Sequence, residues 1–205
     1  DADTLVKRVR ERLPWLPEGV LTRWAHAYGT RLFALVGGAE SLDDLGAEVA
    51  PGLFEAELRY LVNTHFHQDH TGGNPSVLGS FPGGELVAGA SEVERIEAQL
   101  DERSVDVAVA GGDTLELGAA TLEVLDSPGH TPGHVSLMHG DDLFSGDTIF
   151  VGGAGNCSFG GDPGDLFRTF RDVLSGLGDE VTFYPGHDYA VRDIEFALSI
   201  EPDNE

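Results

Sequence analysis

The sequence predicts an α/β protein in which two β-sheets pack face to face and helices cover their outer faces, an αββα arrangement. Three observations lead to this fold class. Short apolar runs rich in β-branched and aromatic residues are closed by Gly or Pro, which is typical of buried strands. Several of these runs lead into a polar loop, and this pattern recurs in both halves of the chain. Amphipathic stretches with a period near 3.6 residues supply the helices.

Strand and helix signals alternate along the chain. Strands are predicted over residues 31–36, 60–62, 85–88, 105–109, 114–117, 121–125, 135–138, 143–144 and 181–184. Helices are predicted over residues 4–13, 91–100, 165–177 and 190–200. Ser91 and Glu94 have the spacing of a capping box and mark the start of the second helix. The strands from 105 to 125 are expected to form one antiparallel run with a solvated face.

The length and composition fit one globular domain. A chain of 205 residues with 40% hydrophobic content can bury one sizeable core, so we expect a single domain over residues 1–205, with 1–30 as a helical appendage in an alternative division. Neither an apolar run of 18 residues nor a signal peptide is visible, so no membrane association is expected. Because Cys157 is the single cysteine, an internal disulfide is excluded, which favours the cytoplasm.

The chain is strongly acidic. It carries 36 acidic residues against 12 basic ones, a formal net charge of −24, and Lys7 is the one lysine. Such like charge opposes compaction at low salt and is screened by concentrated ions, which favours a halophilic source over an ordinary acidic protein. Nucleic-acid binding through a basic surface is excluded, because too few cations are present to neutralise phosphates.

The highest density of candidate metal ligands lies between Asn63 and Asn74. His65, His67, Asp69 and His70 follow the apolar run 60–62 and precede a Gly-Gly break. Burying so many polar groups without partners is costly, whereas imidazole and carboxylate are ligands that zinc, iron and manganese accept. The stretch therefore predicts a metal site, and the alternative is a solvated polar loop.

Three further strand-like runs end in a loop that carries one more side chain of the same type. These side chains are His130, Asp147 and His187. Functional sites of layered α/β proteins collect on loops at strand ends, so we expect all these loops to converge. Five histidines and two aspartates suffice for two adjacent metal positions. A purely metal-storing or interaction module, which would be expected to leave gaps in this set, is disfavoured.

The spacing of these motifs resembles the metallo-β-lactamase-fold superfamily. The resemblance rests on His65-x-His67-x-Asp69-His70, Gly129-His130-Thr131-Pro132-Gly133-His134, Gly146-Asp147-Thr148 and Gly186-His187-Asp188-Tyr189. It runs from about Leu42 to the C-terminus, and it is strongest to the glyoxalase II and persulfide dioxygenase branches. It implies that His65, His67 and His130 hold one metal, that Asp69, His70 and His187 hold the other, and that Asp147 bridges them.

Several residues have candidate roles beyond the ligand set. Asp69 and Asp147 are the candidate catalytic carboxylates, and His134 is a candidate hydrogen-bond partner behind a ligand. Asn156 and Ser158 lie in a glycine-rich loop, at positions where glyoxalase II has a basic residue and a tyrosine that contact glutathione. Tyr189 occupies a position where that family has a tyrosine near the thiol. These three are the candidate substrate-binding residues.

The expected function is metal-dependent hydrolysis of a small thioester or related thiol conjugate by a metal-bridging hydroxide. The expected cofactors are two divalent metal ions, with zinc favoured and iron or manganese as alternatives. A second hypothesis is a persulfide dioxygenase, in which His65, His130 and Asp147 hold a single iron. A β-lactamase, which lacks an aspartate at the bridging position, and a lactonase are disfavoured.

Overall fold

The computed structural model describes residues 58–101 and 103–201. The predicted helix over 4–13, the strand over 31–36 and the alternative appendage over 1–30 lie outside these residues. The strands are β1 (Tyr60–Asn63), β2 (Glu85–Gly89), β3 (Val107–Val109), β4 (Thr114–Leu117), β5 (Ala120–Asp126), β6 (Val135–His139), β7 (Asp142–Gly146), β8 (Ile149–Phe150), β9 (Gly153–Ala154) and β10 (Thr182–Pro185). The helices are α1 (Gln68–Thr71), α2 (Asn74–Ser80), α3 (Val93–Glu97), α4 (Pro163–Asp172) and α5 (Ala190–Ile200), and a 3₁₀ turn spans Leu174–Gly176.

The strands form two main sheets. One is parallel, in the order β1-β2-β3. The other has the order β10-β7-β6-β5-β4, with β10 parallel to β7 and the other neighbours antiparallel. A short β8-β9 hairpin follows β7. Since β1, β5, β7 and β10 each run into a predicted ligand loop, this topology brings the loops together.

The alternation of side chains along β1 and β2 shows how the layers are stacked. Val62 and Val87 face the five-stranded sheet, whereas Leu61 and Leu86 face the opposite way. The core between the sheets consists of Val62, Val87, Val109, Leu115, Leu122, Val124, Val135 and Leu137. The outer core, where α2 and α3 cover the three-stranded sheet, consists of Leu61, Val77, Leu78, Leu86, Ala88 and Ile96.

The predicted strands over 135–138 and 143–144 and the predicted C-terminal helix are confirmed. Strands β6 and β7 form an antiparallel hairpin, and Gly140 in its turn has a φ of 57°. Helix α5 covers the predicted residues 190–200. Within the described ranges, no helix combines the length and the apolar character needed to span a bilayer.

Three sequence predictions are wrong in detail. Strand β3 does not join the antiparallel run; it pairs in parallel with β2, and only β4 and β5 continue as expected. The capping box does not form, because the N-cap of α3 is Glu92 and its side chain makes no cap hydrogen bond. Helix α4 begins at Pro163, where Asp162 caps Asp165, and it ends before the 3₁₀ turn.

Candidate metal centre

The loops after β1, β5, β7 and β10 converge. They bring together the seven side chains that the sequence singled out as ligands: His65, His67, Asp69, His70, His130, Asp147 and His187. The loop after β1 turns directly into the single-turn helix α1, which carries Asp69 and His70. The seven side chains divide into two groups joined by one aspartate.

The first group consists of His65, His67 and His130. Their candidate ligand atoms all lie within 4.8 Å of one another. His67 Nδ1 and His130 Nε2 are 2.9 Å apart, and the His65 ring lies 4.7 Å and 4.8 Å from the two other rings. Three imidazole nitrogens that face one point are a donor set suited to a transition-metal ion.

The second group consists of Asp69, His70 and His187. His187 Nε2 lies 3.1 Å from His70 Nε2 and 3.3 Å from Asp69 Oδ2. His70 Nε2 lies 3.8 Å from the same carboxylate oxygen. This group also fits within the 4.8 Å limit, and it combines nitrogen with oxygen donors.

Asp147 lies between the two groups. Its Oδ2 is 3.5 Å from His130 Nε2 in the first group and 3.3 Å from His187 Nε2 in the second. Its Oδ1 is 3.3 Å from His70 Nε2. The side chain is 7% exposed, so this carboxylate is held inside the site. One residue is thus in reach of both groups, as a bridging ligand must be.

Backbone carbonyls fix which nitrogen of two first-group histidines faces inwards. His130 Nδ1 donates to the Asn156 carbonyl at 2.6 Å, and His67 Nε2 donates to the Phe159 carbonyl at 3.1 Å. A carbonyl can only accept, so the other ring nitrogen of each neutral imidazole keeps a free lone pair. Those lone pairs are on His130 Nε2 and His67 Nδ1, the two atoms that face each other.

The residues fit a metal ion. His65 is fully buried, and its Nε2 has no hydrogen-bond partner among the described residues. A buried polar atom without a partner is costly, and His67 Nδ1 and His130 Nε2, 2.9 Å apart, have lone pairs that face each other. A cation in each group would satisfy these atoms at once. The cluster of histidines and aspartates therefore fits a divalent metal ion.

Burial and charge set the protonation states that ligation requires. Burial lowers the pKa of His65 and of His130, so both imidazoles are neutral near pH 7. Burial alone would raise the pKa of Asp147, but hydrogen bonds from His187 and His70 hold it well below its usual range. The bonds to Asp147 and Asp69 raise the pKa of His187 to about 10. A metal bound to His187 must therefore displace a proton.

Two glycines let the backbone approach the ligands. A Cβ at Gly186 would lie 2.4 Å from Asp147 Oδ1 and 2.8 Å from His70 Cε1. A Cβ at Gly155 would lie 2.7 Å from His130 Nδ1. All three contacts are closer than real Cβ atoms come. These positions therefore need glycine for space.

His134 supports Asp147 through the backbone. It is buried, and its Nε2 accepts the Asp147 N–H at 3.1 Å, while its Nδ1 lies 2.8 Å from Ser127 Oγ and 3.1 Å from Thr148 Oγ1. Burial lowers the pKa of His134 to about 3, so the ring is neutral and can accept this bond. Its ring also stacks on His65 at 5.0 Å. The expected role of His134 behind a ligand stays a prediction that this geometry favours.

The three candidate substrate-binding residues lie around the cluster, all with exposed side chains. The backbone carbonyl of Asn156 accepts a hydrogen bond from His130, while its side-chain oxygen accepts one from the Ser158 N–H at 3.0 Å. Tyr189 stacks on the His187 ring at 5.1 Å. Phe159, which the sequence did not single out, is 69% exposed and lies edge-on to His67 at 6.3 Å.

Cys157 has no sign of activation. Burial, and then the nearby charge of Asp162, raise the pKa of its thiol. A reactive cysteine needs the opposite shift, since the thiolate is the nucleophile. The chemistry of this site therefore rests on the histidines and aspartates.

A buried amide pair holds the ends of the ligand loop, and sequence reasoning missed it. Asn63 accepts from Asn74 Nδ2 at 2.6 Å and donates to Asn74 Oδ1 at 3.2 Å. Asn63 Nδ2 also donates to the His70 carbonyl at 3.0 Å. The available signal was that these two asparagines flank the histidine motif on either side.

Comparison with known proteins agrees with the architecture. The profile described as the Metallo-beta-lactamase superfamily matches residues 36–187. The chain belongs to this superfamily. The αββα fold expected from the sequence is thereby confirmed, with two sheets face to face and helices on the outside.

Individual members of the superfamily are similar over part of their length. The chain is 42% identical over 149 residues to a hydroxyacylglutathione hydrolase from Nitrosococcus oceani, covering 71% of this chain and 54% of that protein. It is 37% identical over 177 residues to one from Anaeromyxobacter dehalogenans, covering 85% and 66%. The crystal structure of ETHE1 from Myxococcus xanthus matches with 31% identity and a TM-score of 0.57, covering 67% of this chain and 57% of that one. The chain thus spans between half and two thirds of the curated relatives' length.

Proposed function

We propose that this chain is a metal-dependent hydrolase of the glyoxalase II type, acting on thioesters of a small thiol. The observation that carries the proposal is Asp147, which lies within 3.5 Å of His130 in one ligand group and of His187 in the other. A carboxylate so placed supports a two-metal site. The similarity to two hydroxyacylglutathione hydrolases supports the substrate class.

In this proposal the first group holds one metal, the second group holds the other, and Asp147 contacts both. Bound there, divalent metal ions would supply a Lewis acid for a carbonyl and would bring the pKa of a water towards neutrality. The side chain of Asp69 is 59% exposed, so it can exchange a proton with the solvent as well as act as a ligand. His134 keeps the Asp147 backbone in place.

A thioester suits this set of residues because its leaving group needs little help. A thiol has a parent pKa of about 8.5, so the departing thiolate requires less protonation than an amine would. Asn156, Phe159 and Tyr189 each contact a ligand histidine, Ser158 bonds to Asn156, and all four side chains are exposed. We assign them to the substrate, with the two aromatic rings against its apolar parts.

We assign the two metal positions to zinc, with iron or manganese as alternatives. Imidazole nitrogen and carboxylate oxygen are ligands that all three accept. The first group offers three nitrogens, a set that zinc favours, whereas the second combines nitrogen with the oxygen of Asp69. Elemental analysis of protein purified without chelator tests this assignment.

Persulfide oxidation is the second candidate. His65 Nε2 lacks a partner among the described residues, and His130 Nε2 lies 3.5 Å from Asp147, so two histidines and a carboxylate suited to one iron are in place. The further ligand-type residues His67, His70 and His187 favour the two-metal hydrolase. A β-lactamase or lactonase activity is disfavoured, as expected from the motifs.

The deciding experiment compares substrates on one metal-loaded preparation. We expect release of free thiol from a hydroxyacylglutathione, measured with a thiol reagent, and slower release from the same acyl group on a smaller thiol. A β-lactam should be hydrolysed slowly or not at all. Oxygen consumption with glutathione persulfide, without thioester hydrolysis, would overturn the proposal in favour of the iron dioxygenase.

The acidic composition supports a halophilic source. With a net charge of −24, we expect the melting temperature to rise between dilute buffer and molar KCl as the salt screens repulsion. A melting temperature that does not rise would contradict this. The cytoplasmic location stays a prediction from the single cysteine.

A further inference from the structure

A buried carboxylate behind the first ligand group has no role in the proposed chemistry. Glu92 is 0% exposed, although it directly precedes helix α3. Its Oε2 accepts the Phe66 N–H at 3.1 Å, and its Oε1 accepts the Gly133 N–H at 2.6 Å. Burying an ionised side chain is costly unless its hydrogen bonds are made. Here both oxygens are used on backbone amides.

The two amides belong to the two loops that carry the first group. Phe66 lies between His65 and His67, and Gly133 lies in the same loop as His130. The carboxylate of Glu92 therefore cross-links the loop after β1 to the loop after β5. An ionised carboxylate suits this position because both partners are donors, and each needs an acceptor.

The rest of the helical segment holds the same residue. Gln99 Nε2 donates to the Phe66 carbonyl at 2.6 Å, and its Oε1 accepts from Thr71 Oγ1 at 2.7 Å. The Arg95 guanidinium lies over the Phe66 ring, 4.8 Å from its centroid. The N–H, carbonyl and ring of Phe66 are thus each held by one side chain. We call Glu92, Arg95 and Gln99 the Phe66 clamp.

We propose that Glu92 is a positioning residue for metal binding, and that the Phe66 clamp sets the geometry of the first ligand group. The inference rests on the two-metal assignment made above. Groups behind metal ligands change metal affinity by about 10- to 100-fold when they are replaced. Because Phe66 stands between His65 and His67, and Gly133 lies in the loop of His130, the effect should fall mainly on the first group.

A merely structural role makes a different prediction. If Glu92 only stabilised the fold, its replacement would lower the melting temperature and weaken both groups to a similar degree. A positioning role changes one group selectively. The two roles can be separated by measuring each group with the other disabled.

The test uses Co²⁺ binding to the full chain, followed by its visible absorption. His187→Ala disables the second group and reports on the first, whereas His67→Ala disables the first and reports on the second. Glu92→Gln is then added to each. The amide keeps the shape of the side chain but turns one acceptor into a donor, which faces a backbone N–H. We expect Co²⁺ affinity to fall about 10- to 100-fold in the first background and less than about 3-fold in the second.

Glu97→Gln is the matched control. Glu97 lies in helix α3, which Glu92 directly precedes, and its Oε1 also accepts a backbone N–H, from Val105 at 2.9 Å, a residue outside the four ligand loops. It should leave both affinities unchanged. Equal losses in the two backgrounds, or an unchanged first group with Glu92→Gln, would overturn the proposal. No Co²⁺ binding in either background without Glu92→Gln would instead overturn the two-metal assignment, and the proposal with it.

A second variant covers the case in which Glu92→Gln does not fold. Gln99→Ala removes the bond to the Phe66 carbonyl from an exposed position, where the fold should tolerate it. We expect a smaller loss in the same direction, about 3- to 10-fold for the first group. Unchanged affinity with Gln99→Ala would then overturn the proposal.

Discussion

The two ligand groups differ in how firmly the protein holds them. In the first, His65 is 0% exposed, two ring orientations are fixed by carbonyls, and Glu92 ties the loops together. In the second, the side chains of Asp69 and His187 are 59% and 25% exposed. The second group also depends on the end of β10, which lies at the edge of the described sheet.

The side chains of the first group are therefore oriented before a metal binds, whereas two side chains of the second group are partly exposed. Ligands that are already oriented lose less conformational entropy on binding. We therefore expect the first group to bind metal more tightly.

The largest effect is expected at Asp147, the residue shared by both groups. Asp147→Asn keeps the size of the side chain but removes the charge that faces His130 and His187. We expect the variant to abolish thioester hydrolysis, a loss of kcat/KM beyond the range of about 10- to 100-fold for groups behind the ligands. The variant should keep its far-UV circular dichroism. Full activity would contradict the bridging role.

Removing one ligand from the first group should weaken metal retention more than removing one ligand from the second group. His67→Ala should abolish turnover, and it should leave the chain with one weakly bound metal, because the firmly held group is lost. His187→Ala should also abolish turnover but keep one tightly bound metal. Elemental analysis after gel filtration measures both. Equal retention in the two variants would show that the groups do not differ.

Graded metal removal measures the difference in metal affinity between the two groups in the unmodified protein. With increasing chelator, we expect the metal at Asp69, His70 and His187 to leave first, followed by the metal at the first group. A difference of about 10-fold or more in affinity is expected, similar to the effect of groups behind the ligands. Two separate steps in a chelator titration check this. A single step that releases both metals would contradict it.

A smaller effect is expected from crowding the second group without removing a ligand. Gly186→Ala places a Cβ 2.4 Å from Asp147 Oδ1 and 2.8 Å from His70 Cε1, so the carboxylate must move. We expect metal affinity and kcat/KM to fall about 10-fold. Gly178→Ala is the control, since its Cβ would meet nothing within 4 Å. The same loss in both variants would point to general destabilisation instead.

The smallest effect is expected at Cys157. Its thiol has a raised pKa and no place among the ligands. Cys157→Ser should keep most of the thioesterase activity, measured under the same conditions as the parent. A loss of 10-fold or more would show that the loop from Val151 to Gly161 uses this side chain.

The set of side chains that come together could be predicted because most of them lie in short sequence motifs. Four candidate ligands lie within six residues of sequence: His65, His67, Asp69 and His70. The other three, His130, Asp147 and His187, each follow a predicted strand. The opposite orientation of Val62 and Leu61 on β1 was not predicted, because residues 60–62 form a continuous apolar run in the sequence. The pairing of β3 was wrong because Val107 and Val109 have the same pattern in a parallel or an antiparallel neighbourhood.

The supporting contacts were beyond the sequence. Glu92 follows Ser91 in what looks like a solvated helix start, and nothing local shows that its carboxylate turns inwards to amides 26 and 41 residues away. His130 bonds to the backbone carbonyl of Asn156 and not to its side chain. Every residue type has a backbone carbonyl, so the sequence does not reveal this contact. Such long-range hydrogen bonds need the fold before they can be seen.

The most direct test is a titration of metal-free protein with Zn²⁺, following thioester hydrolysis and bound metal in the same samples. Filling the first group alone should give little activity, and activity should rise only as the second equivalent binds, because both groups and Asp147 are needed. Hydrolysis that is complete at one equivalent would contradict the two-metal account.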